Sequence, residues 1–416
     1  MATKPFVIPK RLVWQAYQRV KANKGAAGID AISIEAFDED RDKNLYRIWN
    51  RLSSGSYFPP AVRAVPIPKK SGGTRMLGVP TVGDRIAQAA VCLVLEPLLE
   101  PVFHTDSYGY RPGKSAHDAL SITRRRCWRY DWVLEYDIRG LFDNIDHQLL
   151  LKALRHHCSE RWVLLHVERW LTAPMQGQDG STSPRTVGVP QGGPLSPILA
   201  NLFMHYTLDA WLAREHPEIA FCRYADDGIL HCKTVHQAKW LQEQLAARLR
   251  DCGLEMHPEK TRVVYCKDSR RTQSYPIIQF DFLGYTFRPR RVISREGRAS
   301  TGFTPAVSRQ AMKAMRASLR QRRLLKRSDY SLEQLAEYLA PVVRGWMAYY
   351  CRFRGSEFQQ IADYIDLSIV RWAMKKHKRL RGHKHRAIAW LNRVKRKNPG
   401  LFAHWCARGN FAVGTT

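Results

Sequence analysis

Apolar residues recur at helical spacing over residues 9–23, and that run ends in NKGAAGID, a loop by its Gly and Asn content. A second helix is expected around 40–52. The pieces AVRAVPIPK and RMLGVP alternate with period two across KKSGG, the pattern of a hairpin with a Gly-rich turn. Residues 82–101 read as an amphipathic helix that Pro97 or Pro101 should break. DWVLEYDI is an apolar run of strand length, and HQLLLKALRHH after it is helical. PQGGPLSPILANLFMHYTLDAWL begins as a punctuated loop and continues as one long helix. FCRYADDGILHC spells two short strands around an acidic turn. VHQAKWLQEQLAARLRDCG is a helix ending at Gly253, and FDFLGYTF is a strand. From about 305 the pattern becomes helical and stays so. The fold class is therefore α+β up to about 290 with an all-helical region after it, and no internal repeat or low-complexity segment interrupts it.

Length and charge narrow the class. A chain of 416 residues has room for two or three domains, and 44% hydrophobic residues suffice for a normal core. The formal net charge of +30 calls for a polyanionic partner, with nucleic acid first and a membrane surface second. No run of eighteen apolar residues is present, and the first twenty residues lack the apolar stretch of a signal peptide. Nine Cys without a CxxC pair suit a reducing compartment, so a cytoplasmic protein without membrane partners is expected. The charge is uneven. Residues 301–416 hold 24 Lys and Arg against 6 Asp and Glu, which is +18 of the total. Trp346, Tyr349, Tyr350, Phe353, Trp372, Trp390 and Trp405 interleave with that charge, as in folded nucleic-acid-binding segments and unlike a solvated tail.

The chemistry concentrates on three carboxylates. Asp226 and Asp227 stand side by side at the tip between FCR and GILHC, where they repel each other unless a cation neutralises them. Asp137 ends the apolar run WVLEY. Three carboxylates delivered by neighbouring strands could hold two Mg²⁺ ions, activating a 3′-hydroxyl and stabilising a leaving pyrophosphate. Alone, YADD could be an ordinary turn. Cys222, His231 and Cys232 flank it at a spacing that fits no zinc pattern, and the histidines at 377, 383, 385 and 404 suit phosphate contact or exposure better than a metal.

YADD does not stand alone. NKGAAGIDAISIEAF, IPKKSGGTRMLGVPTVGDRIAQ, SYGYRPGKSAHDAL, EYDIRGLFDNIDH, GVPQGGPLSPILANL, FCRYADDGIL, LEMHPEKTRVV, FLGYTF and GWMAYY follow one another from about residue 20 to 350. In that order they resemble the reverse transcriptase/maturases encoded by bacterial group II introns. The resemblance implies a right-hand polymerase: fingers and palm over 1–300 with a small antiparallel sheet, after an N-terminal extension of about 20 residues. A helical thumb follows over 301–355, then a basic region over 356–416 that binds DNA or RNA. It places the catalytic metal positions at Asp137, with Ile138 beside it, and at Asp226 and Asp227. Phe142 becomes a steric gate against the ribose 2′-hydroxyl. Lys69 and Arg75 would hold the incoming triphosphate, with Lys70 able to replace Lys69. Gln191 and Gly192 would lie beside the nascent base pair, and Lys260 would protonate the pyrophosphate. Gly284 would form a turn that grips the primer end. Arg111, Arg344, Trp346, Tyr349, Lys375, Lys376, Lys378 and Arg379 would contact nucleic acid.

The implied activity is RNA-directed DNA polymerisation with dNTPs and two Mg²⁺ ions, joined to a maturase grip on folded intron RNA. Its partners would be that RNA as a ribonucleoprotein, an RNA template and a DNA primer or target. The family's longer members carry an endonuclease that is not seen before Thr416, which leaves priming to nicks or replication forks. Three rival readings stand beside it. One is a splicing chaperone with a vestigial polymerase, which degraded motifs would favour. Another is a domesticated reverse transcriptase in DNA repair, spacer acquisition or phage defence. The last is an RNA-copying RNA polymerase, against which Phe142 argues.

Overall fold

The computed structural model describes residues 4–68, 74–177, 179–293 and 297–406. The strands are β1 (Val62–Pro68), β2 (Thr74–Val79), β3 (Trp132–Tyr136), β4 (Met175–Gln176), β5 (Thr182–Ser183), β6 (Ala220–Tyr224), β7 (Asp227–Cys232), β8 (Arg262–Tyr265), β9 (Phe280–Phe282), β10 (Tyr285–Ile293) and β11 (Ala299–Val307). They form three sheets with orders β2–β1–β4–β5, β6–β7–β3–β8 and β11–β10–β9. Packing separates two compact units. One comprises Met1–Ser115, Leu134–Leu230 and His236–Arg262, and the other Ala116–Val133, His231–Val235 and Val263–Thr416.

In the first unit the helix Val82–Leu99 is the central post. Thr81 caps its start by accepting a hydrogen bond from the Asp84 amide (3.1 Å), and the helix runs two residues past Pro97 to stop before Pro101. Within it Asp84 is fully buried, and three donors meet its carboxylate: Tyr57 Oη (2.8 Å), Trp170 Nε1 (2.7 Å) and Gln88 Nε2 (2.9 Å). Burial nevertheless holds the Asp84 carboxyl above its ordinary range, because none of the three partners is a cation.

The sequence pattern and the structure part at three places, one of them β11 (Ala299–Val307), a strand in the stretch after about 290 expected to be all-helical. FDFLGYTF is not one strand. Leu283 (φ 51°) and Gly284 (φ 80°) turn the chain back, so that Tyr285 pairs with Phe282 in an antiparallel β9–β10 hairpin. The aromatics at 280, 282, 285 and 287 slip by one position across Leu283–Gly284, and that slip, with Gly284, marks the turn that a single-strand reading passes over. The helix expected after PQGGPLSP is also interrupted. It runs Ser196–Met204, loosens into a π turn over His205–Asp209 and resumes over Ala210–Glu215.

In the second unit β10 and β11 pair over nine residues, from Tyr285↔Val307 to Ile293↔Ala299. Among the described residues five α-helices then follow: Arg309–Gln321, Leu332–Arg354, Gln359–Lys376, Lys384–Lys397 and the short Ala403–Cys406. Ile361, Ile365, Ile369 and Trp372 recur at helical spacing and are buried against Met312, Met315, Leu319, Leu335 and Leu339. Ser331 and Gln334 close a capping box at the start of the second of these helices.

The end of the described chain is tied down by one acid. Asp366 ion-pairs with Lys395 and accepts hydrogen bonds from His404 Nε2 (3.0 Å) and Trp405 Nε1 (2.8 Å). Burial alone would raise the Asp366 carboxyl, but these three donors outweigh it and hold it below the usual carboxylate range. A carboxyl depressed on folding contributes stability above its unfolded pKa, roughly 3.9, and loses it as pH falls below that. Thermal melts between pH 3 and 6 should therefore show acid-side loss in the second unit that is smaller in Asp366→Asn, whose midpoint is lower throughout.

Candidate active site

β3 ends at Tyr136, which places Asp137 just past the C-terminal end of this interior strand, half-buried. β6 and β7 are joined by a two-residue tip, Ala225–Asp226, with Ala225 in the left-handed region (φ 58°). β7 begins at Asp227 and neighbours β3, and the Asp137 charge reaches both Asp226 and Asp227 at these strand ends. The three charges act on one another. Burial and then the Asp137 charge raise the Asp226 carboxyl. Asp227 keeps solvent-accessible surface on one side while protein atoms crowd the other. Its carboxyl is pushed up to about 7, first by that crowding and then by Asp226 and Asp137.

Cations face the cluster. Lys260, on the loop between the helix Val235–Asp251 and β8, ion-pairs through its ammonium with the Asp137 carboxylate. Arg75, exposed on β2 opposite Ile67, lowers the Asp226 carboxyl against the effect of burial. Lys69 and Lys70 lie outside the described residues. Tyr110, itself at φ 57°, stands close enough that burial and the Asp226 charge raise its phenol.

The loop GVPQGG is fixed by close backbone contacts. Val189 donates its amide to the Phe142 carbonyl (2.6 Å), and Gly188 sits where any Cβ would stand 2.7 Å from the Asp143 carbonyl oxygen. Gly78 of β2 donates its amide to the Gln191 carbonyl (2.7 Å). A Cβ on Gly192 would come within 2.3 Å of the Gly78 oxygen, so glycine is the residue that fits. These contacts bring Phe142, Gln191, Gly192 and the Arg75 strand together. Gln88, oriented by Asp84, backs the loop from beneath, since a Cβ on Gly193 would stand 2.4 Å from its Oε1.

A residue the motif reading missed holds the acidic tip. Arg223 is fully buried and paired with the fully buried Asp209 through Nε–Oδ1 (2.8 Å) and Nη2–Oδ2 (2.6 Å). Its remaining donors reach Ser107 Oγ (2.8 Å), Asn201 Oδ1 (3.1 Å) and the Ala225 carbonyl (3.1 Å). Segment 106–110 runs alongside β6, with the Tyr108 amide donating to the Arg223 carbonyl and the Arg223 amide to that of Asp106, each at 2.9 Å. Gly109 lies 2.5 Å, as a Cβ would measure it, from the Ala225 nitrogen. A signal for Arg223 was present. Strand alternation puts position 223 on the side of Phe221 and Ala225, which makes it a charge at a core position.

Other expected contacts fall differently. Arg111 is buried, with its guanidinium on Glu100 (2.7 Å) and on the carbonyls of His104 (2.6 Å) and Ser107 (2.7 Å), so its donors shape this loop from within. Tyr349 donates its hydroxyl to the Leu283 carbonyl (2.9 Å), bracing the turn that holds Gly284. Lys376 reaches the carbonyls of Ser328 (2.9 Å) and Tyr330 (2.5 Å). Trp346 is half-buried against the helical core, whereas Arg344, Lys375, Lys378 and Arg379 are exposed. Ile138 is buried and bridged to Met256.

A model of the reverse transcriptase (RNA-dependent DNA polymerase) family matches residues 67–287, just over half of the chain. The chain belongs to the reverse transcriptase family. A second model, the group II intron maturase-specific domain, matches residues 312–390 of this reverse transcriptase. It is 29% identical over 361 residues to the group II intron-encoded protein LtrA of Lactococcus lactis, with 70% of this chain and 58% of that protein covered. It is 32% identical over 288 residues to protein YkfC of Escherichia coli, with 59% and 75% covered. The match to the putative COX1/OXI3 intron 1 protein of Saccharomyces cerevisiae is 26% over 302 residues, covering 60% of this chain and 36% of that protein. The chain thus spans less than two thirds of LtrA. With the family, the fold is that of a right-hand polymerase, its β6–β7–β3–β8 sheet carrying the aspartates.

Polymerases of this family generally use divalent metal ions. Among the described residues no three acidic, His or Cys side chains stand close enough to hold one ion as they are. The donor set nonetheless fits a hard cation. Its oxygens are carboxylates, burial and then the charges of Asp226 and Asp137 raise Asp227 to about 7, and the Lys260 ammonium already offsets the charge on Asp137. No described helix is long and apolar enough to cross a membrane.

Proposed function

We propose that this chain is an RNA-directed DNA polymerase encoded by a group II intron, which copies intron RNA into DNA and assists splicing by binding the folded RNA. The observation that carries the reading is the trio Asp137, Asp226 and Asp227 at the ends of the neighbouring strands β3 and β7, crowded enough to hold Asp227 at about 7 and faced by Arg75 and Lys260. A stretch matching a maturase-specific domain follows in the same chain. We take fingers and palm to span 1–300, the thumb 301–355 and the basic region 356–416.

In this reading Asp137, with Ile138 beside it, Asp226 and Asp227 hold two Mg²⁺ ions. Bound there, such ions make the 3′-hydroxyl a better nucleophile and neutralise the leaving pyrophosphate. Arg75, with Lys69, draws in the triphosphate by charge-assisted contacts. Lys260 must leave Asp137 when the ions enter, and its ammonium is then placed to give a proton to pyrophosphate. Gln191 and Gly192 border the base pair, and Phe142 lies under the sugar. The Leu283–Gly284 turn, braced by Tyr349, supports the primer end. Arg344, Trp346, Lys375, Lys378 and Arg379 offer phosphate and stacking contacts to RNA or DNA, while Arg111 and Lys376 shape the surface from within.

Two experiments test this. Adding the flanking intron RNA should give protein-dependent splicing that survives Asp226→Ala/Asp227→Ala, because binding and polymerisation use different residues. Splicing at the same rate without protein would remove the maturase half. For the sugar gate, Phe142→Val should raise ribonucleotide incorporation relative to deoxyribonucleotide by roughly tenfold or more, the equivalent of one relieved steric contact of about 1.4 kcal/mol. Unchanged discrimination in a primer-extension assay would take that role from Phe142.

A further inference from the structure

The second unit contains a cleft that none of these assignments uses. It has a volume of about 320 Å³ and opens between the helix Arg309–Gln321, the short turn Leu324–Lys326 and the helix Gln359–Lys376. Its size is at the lower end for small-ligand sites. Arg320, Arg323, Lys326 and Arg371 line it, all four exposed, and no acidic side chain does. None of the four is in an ion pair among the described residues. The floor is aromatic and apolar: Tyr364 is half-buried, and Leu325 keeps 45% of its surface open to solvent. Arg323 adopts the left-handed region (φ 49°), a costly conformation for a long side chain. It is held by its amide donating to the Arg320 carbonyl (3.0 Å) and its carbonyl accepting from Lys326 (2.8 Å).

A cationic rim over an aromatic and apolar floor matches one kind of ligand. A nucleobase that has left its stack buries its face on Tyr364 and Leu325, while its flanking phosphates accept charge-assisted hydrogen bonds from Arg320, Arg323 and Arg371. Arg316 lies 5.9 Å from the centroid of the Tyr364 ring, and an acidic peptide would satisfy the rim but bring no ring to stack there. We propose that this cleft binds a single unpaired nucleotide of the nucleic acid held by the chain. The proposal rests on the reading that the chain binds RNA, and it adds a site for one extruded base within the stretch that matches the maturase-specific domain.

The test uses the full chain and a short fluorescein-labelled oligouridylate with one central 4-thiouridine, beside the oligodeoxythymidylate counterpart and a polyglutamate competitor. Photo-crosslinking should place the adduct on Tyr364 or on residues 320–326. Tyr364→Leu should weaken binding by about tenfold, as loss of one base–aromatic stack does. Arg320→Gln/Arg323→Gln/Arg371→Gln changes only exposed positions, so its fold is secure. It should lower the salt dependence by about 0.7 in log–log slope for each phosphate released. Preference for the ribo-oligomer would assign the base to RNA, and equal binding of both to any single strand; either supports the site. Crosslinks elsewhere with affinity within twofold in both variants, or displacement by polyglutamate that depends on these arginines while Tyr364→Leu is silent, would overturn it. If the wild type binds neither oligomer, the RNA-binding reading itself has failed, a result separable from wild-type binding that the variants do not alter.

Discussion

Asp226→Asn/Asp227→Asn is expected to lower primer extension by about 10³-fold or more, corresponding to roughly 4 kcal/mol or more of lost transition-state stabilisation, while the protein becomes no less stable. Both halves follow from one fact. In the folded chain burial, and after it the neighbouring carboxylate charges, raise the Asp226 and Asp227 carboxyls, with Asp227 reaching about 7. A carboxyl whose folded value lies above its unfolded value binds an extra proton in the folded state between the two. Its contribution is therefore full at acid pH and is lost as pH rises towards 7. The amide variant removes that dependence, so its melting temperature should match the wild type near pH 5 and exceed it at pH 8. Mg²⁺ should narrow the gap at pH 8 by stabilising only the wild type. A variant that melts lower at every pH would mean that these aspartates support the fold instead of being held by it, the usual sign of a functional site reversed.

Arg223→Met should be as damaging by another route. It leaves the Asp209 carboxylate fully buried without its cation, a loss of about 3–5 kcal/mol, and for a unit of this size roughly 10 °C in melting temperature. It also removes the donors on Ser107, Asn201 and the Ala225 carbonyl, so the tip bearing Asp226 and Asp227 loses its anchor. Arg223→Met/Asp209→Leu should recover most of the stability, because a buried pair can be replaced by apolar side chains. Primer extension should stay low in both. Recovery of extension together with stability would show that the network serves packing alone.

Much of this was legible before any coordinates. β1, β2, β3, β6 and β7, the helices Lys10–Asn23 and Val235–Asp251, and the acidic tip all follow from period and punctuation, since each element buries one face of its own. The order of the motif blocks carried the family. What stayed hidden depends on partners far apart in sequence. The turn within FDFLGYTF is marked only by Gly284 and by a one-position slip between Phe282 and Tyr285, too little to split an eight-residue, largely apolar run. The π turn at His205–Asp209 has no punctuation residue, yet its last residue is the partner of Arg223, fourteen positions on. β11 falls in the stretch after about 290 expected to be all-helical, because Thr and Ser at its exposed end give no apolar rhythm. Arg111 is expected at nucleic acid from the resemblance of the SYGYRPGKSAHDAL block. Only folding reveals Glu100 beside it.

The most direct test of the central claim is extension of a DNA primer annealed to an RNA template, with dNTPs and Mg²⁺ and the purified wild-type chain. The account predicts full-length complementary DNA that disappears on chelation and in Asp137→Asn. A folded wild type that binds the primer–template but adds no nucleotide at any Mg²⁺ concentration would contradict it.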